Sequence, residues 1–178
     1  MLFKSTLAVP DVKAALVDFA LEWNGYTTAD STHYHENVSS GTVLQALALE
    51  YSRLLEASFT EEDLRTEMTV VRNEMELADS NTARSLLNTL SRGVHDFHGY
   101  GRTTLGSYSD VQDAPYAQLR EFYKRHYRVN NAFLLVTGCF DQEAVLTYVS
   151  NHFGSVQSDI SLKHATANWT IDRPSQGS

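Results

Sequence analysis

The segment from Thr60 to Ala78 constrains this chain most, because its apolar residues keep helical spacing for about five turns. Leu64, Met68, Val71, Met75 and Ala78 recur at intervals of three and four and draw one stripe. Glu67 and Glu74 complete that stripe, each three residues after an apolar member. A separation of two turns puts the two carboxylates ~10.5 Å apart on one face. Carboxylates are rarely buried without a partner. Either both reach water at the margin of the stripe, paired with Arg65, Arg72 or a neighbouring element, or one of them meets a divalent cation or serves as a general base.

Around this helix the chain alternates helical and extended signals. Pro10 opens a helix through Val12, Ala15, Leu16, Phe19, Ala20 and Trp23, with Asn24-Gly25 as its stop. Residues 26–38, rich in Thr and Tyr, read as one or two strands, and Ser39-Ser40-Gly41 as a turn. A helix follows through Leu44, Leu47, Tyr51, Leu54 and Leu55; Thr60 with Asp63 then makes a capping box for the helix of the two glutamates. Ala83, Leu86, Leu87, Leu90 and Val94 mark another helix. The glycine- and hydroxyl-rich stretch 98–110 reads as a long loop. A helix from about Asp113 to Tyr127 turns Leu119, Phe122 and Tyr123 inward, and NNAFLLVTGCF is the best central strand. Asp141 begins a final helix that ends at Gly154, after which a polar tail runs from about residue 155. Five or six helices against two or three strands predict an α+β domain short of some strands.

The other candidate groups are weaker. His33 and His35, two apart on a strand, point to one side roughly 7 Å apart; they are either metal donors or exposed polar residues. His95 and His98 stand at a helix end, where a dipole interaction is the ordinary role. His126, His152 and His164 have no ligand spacing. Cys139, the only cysteine, reads as a small buried thiol, and a single cysteine excludes an internal disulfide. No nucleophile elbow and no glycine-rich phosphate loop is present. The 178 residues suit one globular domain. A net charge of -8 argues against a nucleic-acid or anionic-membrane partner, and no apolar run reaches membrane-spanning length.

Five blocks, in order, carry a resemblance over nearly the whole chain: MLFKST, NGYTTADSTHYHENV, EMTVVRNEMEL, HGYGRTTLGS and FYKRHYRVNNAFLLVTGCFD. They resemble the pitrilysin/insulysin zinc metallopeptidases, above all the bacterial proteases, and also mitochondrial processing peptidase. That family carries His-x-x-Glu-His, followed roughly 75 residues later by a glutamate that is the third zinc ligand. The resemblance implies that Met1 directly follows the motif, which this chain then lacks. On that count Glu74 is the metal ligand and Glu67 supports the site from behind. Thr28 stands where many relatives have an asparagine near the substrate, a departure that weakens a substrate contact there. The implied fold is one half of a clam-like enclosure, an antiparallel-type sheet covered by helices, without its first strands and motif helix. The implied cofactor is zinc, and the implied partners are a peptide or protein substrate and a second half-clam domain or homologous subunit. Export to the periplasm is what bacterial relatives suggest. With two ligands and the base outside the chain, the expectation is that these residues neither hold zinc tightly nor cleave peptides, and that open sheet edges and apolar faces favour association.

Overall fold

The computed structural model describes residues 3–95 and 98–157. After an N-terminal arm come α1 (Val12–Phe19), a hairpin of β1 (Ala20–Thr27) and β2 (Thr32–Val38), α2 (Val43–Leu55), α3 (Glu61–Ser80), α4 (Thr82–Val94), α5 (Tyr108–Gln112), α6 (Tyr116–His126) and α7 (Gln142–His152). Among the described residues the two strands form an antiparallel sheet of their own, with Gly25 opposite Tyr34 and Thr27 opposite Thr32. This is the expected α+β class, dominated by helices.

The helix expected to run to Trp23 stops at Phe19. Ala20 to Thr27 instead pair with β2, a ladder that a continuing helix would forfeit. Gly25, read as a helix stop, is a strand residue. A Cβ there would lie 3.1 Å from both the Phe3 and the Tyr34 rings, so the close approach of two aromatics selects glycine. The core is small: Val12, Leu16 and Leu49, with Phe3, Val9, Phe19, Ala20 and Trp23 packed around them.

The arm is tied down on both sides. Leu7 N–H donates to the Glu56 carbonyl at 2.9 Å, Ser58 N–H to that of Ser5 at 3.0 Å, and Val12 N–H to that of Lys4 at 2.9 Å. Next to it lies the most buried charge of the fold, Arg53 of α2, which is 1% exposed. Its guanidinium meets the carboxylates of Glu36 and Glu50, and its Cζ lies 5.0 Å from the Phe3 ring centre and 4.7 Å from that of Tyr34. Tyr34 and Tyr127 share a hydroxyl contact of 3.0 Å, and Tyr123 donates to the Arg53 carbonyl at 2.9 Å. Burial raises the phenol of Tyr34 and pushes that of Tyr123 up to about 12. It also raises Glu36 and lowers Arg53, while the attraction within that pair works against both shifts.

The stretch expected as a central strand has no regular secondary structure from Ala132 to Thr137 and no ladder among the described residues. Phe133 is 88% exposed and Leu135 71%. An apolar run prefers burial, yet a strand also needs a hydrogen-bonded neighbour, which the described residues do not supply. Cys139, just beyond, is accordingly exposed rather than buried. In α6 Phe122 also faces out, resting on His126 with ring centres 4.4 Å apart. The expected polar tail falls largely on residues outside those described.

Candidate functional site

Helix α3 is built as its sequence predicts. Asp63 N–H donates to Thr60 Oγ1 at 3.2 Å, and Thr60 N–H donates back to Asp63 Oδ2 at 2.8 Å. Leu64, Met75 and Ala78 are buried, with Met68 and Val71 beside them. The two glutamates then part company. Glu67 is half-buried and takes Lys4, with Nζ 3.3 Å from Oε1. Glu74 is exposed, and its carboxylate has no hydrogen-bond or ion-pair partner among the described residues.

The apolar arc of α3 is wider than the stripe that packs. Val70 and Leu77, four residues before Glu74 and three after it, lie on its outer flank and are exposed, Leu77 to 71%. Glu74 therefore stands on the seam between the covered and uncovered parts of that arc. The next helix repeats the pattern: Leu86, Leu87, Leu90 and Val94 of α4 all face out.

Thr28 lies in the hairpin turn, where its hydroxyl is occupied locally. It accepts from Ser31 N–H at 3.1 Å and contacts the Ser31 hydroxyl at 3.0 Å. Beside it, Asp30 accepts the Tyr100 hydroxyl at 2.9 Å, which joins the hairpin tip to the loop after α4. His33 and His35 do share one face of β2, as spacing predicts. His95 caps the end of α4, and His98 Nδ1 accepts Tyr100 N–H at 3.0 Å. His164 is outside the described residues. Lys4 and Arg53 were not singled out by sequence. Arg53 did leave a signal, four residues after the core Leu49 on an amphipathic helix, whereas Lys4 sits in an irregular arm and left none.

The sequence pattern described as Insulinase (Peptidase family M16) matches residues 1–107. The chain belongs to that family. A second pattern, Peptidase M16 inactive domain, matches residues 113–176. Among similar proteins, a probable mitochondrial-processing peptidase subunit beta of Arabidopsis thaliana is 27% identical over 89% of this chain and 30% of its own length. An uncharacterized zinc protease of Mycobacterium tuberculosis is 27% identical over 87% of this chain and 36% of its own. This M16 chain thus spans about a third of the length of the curated relatives it matches. Its fold is that of a protease from Helicobacter pylori, with a TM-score of 0.83 at 22% identity over 90% of this chain and 40% of that one. The periplasmic protease PqqL from Escherichia coli gives 0.77 at 20% identity over 90% of this chain and 19% of that one.

Zinc, which the mycobacterial relative's name carries, takes about four donors, at least three of them from protein. Among the described residues no three His, Cys, Asp or Glu side chains gather. The described residues of this M16 chain therefore do not fit a zinc ion on their own. Nor is any described helix long and apolar enough to cross a membrane.

Proposed function

We propose that this chain is part of a zinc metalloendopeptidase of the M16 family, acting on peptide bonds of a polypeptide. Glu74 is its one contribution to the metal, and Glu67, steadied by Lys4, supports the site. The observation that carries this reading is the unpartnered Glu74 carboxylate at the seam of α3, beside uncovered Val70 and Leu77. A segment that laid an apolar face on that flank would bring its own donors to Glu74. Without such donors the chain neither retains zinc nor hydrolyses peptides. A second half-clam domain or homologous subunit completes the grip on substrate.

A non-catalytic role within a larger assembly is the second reading. The match to a pattern described as an inactive domain favours it, as does a relative of Euglena gracilis named ubiquinol-cytochrome-c reductase complex core protein I. One experiment separates the two: a relative's His-x-x-Glu-His segment is fused ahead of residue 1, and zinc and peptide hydrolysis are measured. The peptidase reading predicts one zinc per folded chain, lost in Glu74→Gln. A folded fusion that binds no zinc, or binds it equally well with glutamine at position 74, overturns that reading.

A further inference from the structure

The hairpin has a second face, turned away from Trp23, Tyr34 and the core. On it the register sets Asn24 opposite His35 and Tyr26 opposite His33. Both imidazoles are exposed, and one ring adjoins both of them. Tyr26 stacks on His33 at 4.6 Å and 11°, and lies 6.2 Å from His35. Strand alternation, fixed by the ladder, holds the two histidines on one side. The Ser31 hydroxyl lies 2.7 Å from His33 Nε2. With Nε2 donating there, the ring is oriented and Nδ1 keeps its lone pair, the arrangement that metal-binding histidines commonly have. Of the neighbouring carboxylates, Asp30 is engaged with Tyr100, and Glu36 with Arg53 on the opposite face; Glu22, opposite Asn37, shares the histidine face.

We infer that His33 and His35 form a two-imidazole chelate for a borderline divalent cation, distinct from Glu74. Imidazole suits Ni2+, Cu2+ and Zn2+, whereas Mg2+ prefers oxygen donors. The net charge of -8 draws cations toward the surface. No third His, Cys, Asp or Glu joins the pair among the described residues, so water fills the remaining positions and the ion exchanges freely.

The test is calorimetric titration of Ni2+ into the full chain carrying Cys139→Ser, which removes the competing exposed thiol. Binding is expected to weaken at least tenfold in His33→Ala and in His35→Ala, and to be unchanged in Glu74→Gln and in His98→Ala. Mg2+ is expected to give no binding heat. In the parent chain, NMR broadening by Ni2+ should centre on His33 and His35, a readout that needs no variant to fold. Absence of Ni2+ binding, indifference to both histidine substitutions, or broadening centred on His95 and His98 overturns the proposal. None of these outcomes bears on whether Glu74 meets zinc in a complete site.

Discussion

The N-terminal side of the molecule encloses a small core, although Leu7, Val17 and Leu21 there are exposed, whereas the α3–α4 side leaves most of its apolar arc uncovered. Around α1, the hairpin and α2, aliphatic and aromatic side chains close on one another and even enclose a guanidinium. Along the outer flank of α3, on α4 and in the segment after Asn131, similar side chains stand in water. The two glutamates divide along the same line: Glu67 belongs to the closed side through Lys4, and Glu74 to the open one. Where such side chains join in one patch, other structure packs on it. Helix α3 is thus covered on one flank and open on the other.

Removing the hub of the closed side gives the largest expected effect. Arg53→Met leaves Glu36 and Glu50 without their cation and should cost about 3–5 kcal/mol in urea unfolding, since a buried charge loses its partner. A loss below about 1 kcal/mol would show that the hub does not hold the arm.

A matched pair of leucines probes the contrast itself. Leu16→Ala empties part of a fully buried site and should cost about 2–4 kcal/mol, whereas Leu87→Ala on the open face should stay within about 0.5 kcal/mol. Equal costs would mean that α4 is covered after all, for instance by self-association, which light scattering would reveal.

A smaller loss is expected at high pH. Tyr34 and Tyr123 have phenols raised above the ordinary value near 10. Their contribution is therefore complete below pH 10; that of Tyr123 is lost as pH rises through about 12, and that of Tyr34 at still higher pH. Absorbance at 295 nm should show a delayed fraction of tyrosine ionisation, including Tyr34 and Tyr123, that appears as the chain unfolds. A single transition near pH 10 without unfolding would contradict the packing around Arg53.

Smallest is the difference between the glutamates. Lys4→Met should cost about 0.5–1 kcal/mol through the half-buried pair with Glu67, and Glu74→Gln close to nothing. A clear stability loss in Glu74→Gln would place that carboxylate on the closed side.

Much of this division was legible in the sequence where local rules decide. The capping box at Thr60, the stripe of α3 and the start of α7 at Asp141 all follow from spacing and cap chemistry. Local rules failed where pairing over distance wins or is missing. Ala20 to Trp23 keep helical periodicity yet join a ladder, and the run from Ala132 has strand composition but no neighbouring strand among the described residues. The candidate site was legible only as two marked carboxylates. Spacing put them on one face, but which of them would turn toward Lys4 depends on an arm that periodicity does not describe.

The most direct test of the division is the zinc content of the purified 178-residue chain by atomic absorption after desalting. With Glu74 as a lone carboxylate on an open flank, zinc should fall far below one per chain and be no lower in Glu74→Gln. Close to one zinc per chain, abolished by that substitution, would mean that the chain already gathers its own donors.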